Sequence, residues 1–185
     1  MDDLTALREL RADAPEPGAG RLAATRARLV AGLRQLERQP FRLDQLAEEV
    51  VAETVQAPHT ARISVAPVVM HGDPALIRIA IRNLAHNAVR HGRTKAGAAA
   101  IRLVVAEGLV VIEDSGPGIP DSPEQGRQRF GTHAADGVGL GLAIAQWVAE
   151  LHGGSLRLGP APGGGTSATL ILPGPPAGRR GRRRG

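Results

Sequence analysis

The chain has 185 residues, 42% hydrophobic but only 2% aromatic, enough to bury a core that has to be built from Leu, Val, Ile and Ala. With three aromatic residues (Phe41, Phe130, Trp147) there is almost nothing on which nucleic-acid bases could stack, and the absence of cysteine excludes a disulfide framework and a thiolate metal site. The formal charge of +5 belongs to the C-terminus: Arg179, Arg180, Arg182, Arg183 and Arg184 account for five of 23 basic residues, leaving 18 against 18 acidic ones. No nucleic-acid partner is therefore expected for the folded body. No apolar run approaches the roughly 18 residues of a membrane span, and the acidic start MDD is unlike a secretory leader, so a cytoplasmic chain without a span is expected.

Leu4, Leu7 and Leu10 predict a short helix, stopped by Pro15, Pro17, Gly18 and Gly20. Leu22, Leu29, Leu33 and Leu36 predict a second one to about Arg38, and together they suggest a helical hairpin whose narrow Leu stripe wants a partner helix. Pro40 breaks it. Leu43, Leu46, Val50 and Val51 mark a helix to about Val55 with Asp44 near its start, followed by strand-like runs Ala61–Val65 and Val68–His71 on either side of Pro67. The stretch Asp73–Gly92 reads as a two-faced helix with Asp73 as N-cap and Pro74 in the first turn. Ile77, Ile81, Leu84 and Ala88 share one stripe; Asn83, Asn87, Arg90 and His91 crowd a neighbouring one. Ala99–Ala106 and Leu109–Asp114 form a hairpin turning at Glu107-Gly108. The long stretch Ser115–Asp136 has little apolar periodicity and reads as a functional loop. Val138–Leu151 returns to helical spacing, Gly153-Gly154 end it, and strands Ser155–Leu158 and Thr166–Leu172 follow. The order predicts an α+β fold with helices packed on one face of a mixed sheet. The Pro/Gly/Arg tail from Pro173 lacks apolar residues and is expected to be a disordered, solubilising end.

Three constellations carry chemistry. Asn83, Asn87, Arg90 and His91 offer hard amide oxygens suited to Mg²⁺ and basic groups suited to phosphate, although two asparagines also suit a solvated helix face. Asp114, closing a β-branched strand in DSGPGIP, is an acceptor able to read an exocyclic amino group, with Gly116 and Gly118 letting backbone approach a flat ring; an Asp-initiated turn is the plainer alternative. Gly137, Gly139 and Gly141 lead into a helix whose free N–H groups suit phosphate oxygens, or else they form a hinge. Their spacing is neither the dinucleotide fingerprint nor a Walker loop.

In this order the segments resemble the ATP-binding domain of sensor histidine kinases, within the ATPase superfamily that includes gyrase, Hsp90 and MutL. NLAHNAVRHG is similar to its N box, DSGPGI to its G1 box, Arg129-Phe130 to the end of its F box, GVGLGLAIAQWVAELHGG to its G2 box and GGGTSATLILP to its final Gly-Thr segment. The resemblance implies a Bergerat-type two-layer α/β sandwich at 42–173, a hairpin remnant at 1–41 and a tail at 174–185. It implies ATP and Mg²⁺ as ligands, with Asn87 on the metal, Asn83 one turn earlier, Arg90 on phosphate and His91 against the nucleotide. Asp114 would read adenine, helped through water by Thr166, with Gly116 and Gly118 bordering the base. Gly137, Gly139, Leu140 and Gly141 would line the phosphates, and Arg129 or His133 would reach them from a lid at 115–136. Hydrolysing relatives carry Glu one turn before the metal-binding Asn; Asn83 cannot act as a base, which disfavours direct water activation but not transfer to a protein.

Departures accompany the likeness. No His precedes His59, so the acceptor His of the H-E-x-x-T-P-L motif is missing, although DLTAL at Asp3–Leu7 is similar to the segment just after such a motif; the first Phe of the F box is replaced by Arg127. His71, His86 and His152 read as surface or packing residues. The implied function is a histidine kinase catalytic region that phosphorylates a His of another chain or of a missing upstream segment. A response regulator would be its further partner, the N-terminal helices a homodimer contact, and transfer in cis is not expected. A degenerate nucleotide-binding regulator or a serine-kinase anti-sigma factor of the same superfamily is the alternative.

Overall fold

The computed structural model describes residues 36–94, 97–118 and 138–173, the side chains of 138–140 excepted. Residues 1–35 of the hairpin expected at 1–41, most of the lid expected at 115–136 with Arg129 and His133, Gly137, and the tail from 174 lie outside the described residues. In chain order the elements are β1 (Gln39–Arg42), α1 (Leu43–Thr54), β2 (Thr60–Val65), β3 (Val69–Gly72), α2 (Pro74–His91), β4 (Ala100–Ala106), β5 (Leu109–Asp114), α3 (Val138–Leu151), β6 (Ser155–Pro160) and β7 (Thr166–Ile171). From Leu43 onward the expected helices and strands are present with ends displaced by a residue or two; residues 36–38, where the second expected helix was to end, are not helical, and β1 is an addition that straddles the boundary placed at 41/42.

A five-stranded mixed sheet in the order β2-β4-β5-β7-β6 forms one layer. Only β2 and β4 pair in parallel; β4 with β5, β5 with β7 and β7 with β6 run antiparallel. Alternation along the strands buries Ile101, Leu103 and Val105 of β4, Val110 and Ile112 of β5, and Ala168 and Leu170 of β7 on one face. That face meets the three helices through Leu43, Ala47, Val50 and Val51 of α1, Ile77, Ala80, Ile81, Leu84 and Ala88 of α2, and Leu142, Ala145 and Val148 of α3. The stripe expected on α2 is the buried one. On the opposite sheet face Arg102 and Glu113, directly paired in register, meet at 3.1 Å.

β2 and β3, which read in sequence as consecutive strands of one sheet, belong to different sheets. Ala66 N–H still bonds Val105, but Pro67 has no N–H with which to continue the ladder. Val68 then turns to the start of α1: its N–H donates to Asp44 Oδ1 at 3.0 Å, and its carbonyl accepts from Leu43 N–H at 2.9 Å. β3 is thereby aimed at β1, and the two form a separate antiparallel ribbon with Phe41 opposite Met70. Arg42 completes the corner, with Nε 2.9 Å from Asp44 Oδ1 and Nη2 2.5 Å from Oδ2. This bidentate guanidinium holds the Asp44 carboxyl well below the usual carboxylate range, against the opposing effect of its burial.

Candidate functional site

α2 starts where Asp73 caps it, its carboxylate accepting from Ala75 N–H at 3.0 Å and Leu76 N–H at 3.2 Å, with Pro74 at the first position. It ends at Gly92, whose N–H bonds Ala88 carbonyl at 2.7 Å. The helix therefore runs unbroken past Asn83, Asn87, Arg90 and His91. Asn83, Asn87 and His91 are half-buried and Arg90 is exposed.

Asp114 ends β5 and is 6% exposed. Both of its described hydrogen bonds use Oδ1, which accepts from Gly116 N–H at 2.9 Å and from Thr166 N–H at 3.3 Å. The carboxylate thus knits the end of β5 to the start of β7, and none of the described bonds engages Oδ2. The surrounding backbone is packed too closely for side chains. A Cβ at Gly165, where φ is +91°, would fall on the Asp114 carbonyl oxygen, and one at Gly116 would strike the His91 carbonyl and come within 2.7 Å of Gly92 Cα. Gly92 is fitted in the same way, its Cβ position lying 2.5 Å from Asp114 Cβ.

At the other end of the site, Asn83 meets α3. Its Nδ2 donates to Ile79 carbonyl at 2.9 Å, and its Oδ1 lies 3.1 Å from where a Cβ on Gly141 would be. The glycine at 141 therefore lets the first turn of α3 press against α2, and α3 starts at Val138, so Gly139, Leu140 and Gly141 occupy its N-terminal turn. Free N–H groups are characteristic of such a turn. Between Asn83 and Gly92 the helix rises about 13 Å, a span comparable with that of an extended nucleoside triphosphate.

The structure thus brings together Asp114, Gly116 and Thr166 at one pole and Asn83 and Gly141 at the other, with Asn87, Arg90 and His91 on the helix between them. Gly118, at φ +77°, approaches Gly165. Gly92 and Gly165 are additions to the expected set; the signal for Gly165 lies in the GGGT segment, whereas Gly92 looks like an ordinary helix stop. Among the described residues no group of three His, Cys, Asp or Glu is placed to hold a metal ion. The donors present are amide oxygens, which fit a hard cation that takes most of its ligands from phosphate and water.

Residues 72–176 match the family model described as histidine kinase-, DNA gyrase B- and HSP90-like ATPase. The sensor-type histidine kinase PrrB of Mycobacterium tuberculosis is 38% identical over 112 residues, covering 56% of this chain and 24% of that protein. The signal transduction histidine-protein kinase/phosphatase MprB of Mycobacterium avium is 39% identical over 132 residues, covering 63% of this chain and 25% of that protein. The match thus spans about a quarter of the length of these relatives. Among solved structures, the ATP binding domain of PrrB from Mycobacterium tuberculosis superimposes with a TM-score of 0.59 at 27% identity, covering 75% of this chain and 98% of that one.

Proposed function

Because the chain belongs to the family of histidine kinase-, DNA gyrase B- and HSP90-like ATPases, we propose that it is the ATP-binding catalytic region of a sensor histidine kinase and passes the ATP γ-phosphoryl group to a histidine outside the ATP-binding domain. The observation that carries the reading is the buried Asp114, whose Oδ1 is committed to Gly116 and Thr166. Its Oδ2 accepts the exocyclic amino group of adenine. Gly92, Gly116 and Gly165 keep the backbone around that carboxylate clear of side chains, and the Thr166 hydroxyl bonds the base through water.

Asn87 is the metal ligand, and Mg²⁺, when bound, neutralises charge on the transferring phosphates. Arg90 contacts phosphate, His91 lies against the nucleotide, and the α3 turn at Gly139, Leu140 and Gly141 directs N–H groups at the phosphate oxygens. Arg129 and His133 would approach from the lid. Asn83, whose amide N–H bonds Ile79 carbonyl within α2, packs against Gly141 of α3 and offers no base to activate water. In the transfer, an imidazole nitrogen forms a bond to the γ-phosphorus as the bond to the β–γ bridging oxygen breaks, and ADP leaves. A response regulator is the later recipient, the N-terminal segment would supply a dimer contact, and the domain works on the cytoplasmic side. Among the described residues no helix is long and apolar enough to cross a membrane.

Incubation with γ-labelled ATP and histidine-containing acceptor domains tests the reading. Acid-labile label on the acceptor, lost in Asn87→Ala, is the expected result. Absence of ATP binding in calorimetry would overturn it.

A further inference from the structure

His152, just beyond the end of α3 and at the opposite end of that helix from Gly141, is 5% exposed. Its Nε2 accepts from Asp73 N–H at 3.0 Å, so the neutral ring carries its proton on Nδ1, which donates to Val148 carbonyl at 2.8 Å. Asp73 is the N-cap of α2. One imidazole therefore joins the C-terminal end of α3 to the N-terminal end of α2. Gly72 makes room for it, since a Cβ there would come within 2.9 Å of His152 Cδ2.

The same two helices touch again at Asn83 and Gly141. They are antiparallel, and the two contacts are about 15 Å apart along either helix. The apolar faces packed between the helices set their distance, and a pin near each end adds a fixed axial register, because a directional hydrogen bond tolerates sliding less than apolar contact does. A third segment is fastened at the first pin. Glu37 N–H donates to Asp73 Oδ2 at 3.2 Å, and Arg38 Nη2 donates to Leu151 carbonyl at 3.2 Å. The stretch entering the domain from the N-terminal side is thus bonded to both helices at once.

We propose that His152 is a positioning residue of the nucleotide site, setting the register of α3 against α2 and thereby the approach of the glycine turn to Asn83 and Asn87, with Glu37 and Arg38 clamped to the same joint. The proposal rests on the ATP-binding reading and assigns this residue a role in phosphate binding rather than in adenine binding. Adenine recognition is built on Asp114 and Thr166, at the ends of β5 and β7, and does not depend on how the helices slide. The phosphates are held between the helices.

The test uses the full chain and two ligands, a non-hydrolysable ATP analogue with Mg²⁺ and adenosine. In His152→Asn the amide takes the place of Nδ1 and keeps the Val148 bond while the bond to Asp73 is lost; in His152→Gln the side-chain oxygen reaches the place of Nε2. Loss of one neutral hydrogen bond predicts about a fivefold weaker analogue affinity in the Asn variant, adenosine affinity unchanged, and wild-type behaviour for the Gln variant. Equal weakening of both ligands, as a general loss of structure would cause, or no change in either, overturns the proposal. If the Asn variant fails to fold, Arg38→Ala, at an exposed position, carries the same comparison with about a twofold loss for the analogue only. A wild-type chain that binds neither ligand overturns the ATP-binding reading, and hydrogen exchange then judges the joint alone. Faster exchange in His152→Asn at Asn83–Ala88 and Leu142–Ala145 supports it, and change confined to Asp73 and Val148–His152 overturns it.

Discussion

A buried carboxylate is costly unless its oxygens are bonded, and Asp114 satisfies one of them with two backbone N–H groups. In the proposed function the other accepts from adenine. Asp114→Asn keeps the shape but replaces a charged acceptor by an amide, and the expected cost of a charge-assisted bond, about 1.5–3 kcal/mol, corresponds to roughly 10- to 150-fold weaker ATP binding in calorimetry. Gly165 is constrained by different physics. Its φ of +91° is unfavourable for any L side chain, and a Cβ would collide with Asp114 backbone; Gly165→Ala is expected to destabilise the fold by more than about 1 kcal/mol, seen as a lower Tm even without nucleotide. Asp114 could be picked out in the sequence because it is a carboxylate at the end of an apolar strand followed by glycines. The GGGT segment flags Gly165 without saying why, and nothing flags Gly92, because the collision that excludes a side chain at either position involves Asp114, brought in from elsewhere in the chain.

The hairpin between β4 and β5 turns through Glu107 at φ +48° and Gly108 at φ +81°. Two positive φ values in a two-residue loop define the turn whose twist matches antiparallel strands, and Asn tolerates the first position better than Glu. Glu107→Asn is therefore expected to stabilise the protein by about 0.5 kcal/mol, measured by denaturant unfolding, with ATP affinity unchanged. The start of α2 is a second local device. Asp73 accepts two N–H groups of the first turn and a third from Glu37; Asp73→Ala should cost about 1–2 kcal/mol. The helices and the hairpin were legible because each satisfies its own periodicity and capping within a few residues. β1 was not: QPFR carries no strand pattern, and its pairing partner is 30 residues away at β3.

The corner formed by Arg42, Asp44 and Val68 links the ribbon, α1 and the loop after β2, so its electrostatics bear on the stability of the whole described fold. The folded-state pKa of Asp44 is depressed, so its contribution is fully present above the ordinary Asp value near ~3.9 and is lost progressively as pH falls below it. Melting of the wild type should therefore steepen its decline with pH below about pH 4, and Asp44→Asn should be less stable at neutral pH with a flatter acid limb. A parallel decline in both proteins would show that Asp44 does not contribute.

Local pattern alone determined the helices, most of the strands, the aliphatic core and the segments that mark the ATPase family, because periodicity, caps and motif order are written within short stretches of chain. Only the tertiary structure decided that β3 leaves the main sheet, that Gly92 and Gly165 wall in Asp114, and that His152 joins α3 to the cap of α2. Each of these depends on which backbone groups remain unpaired once distant segments have packed, and no single stretch of sequence contains both partners.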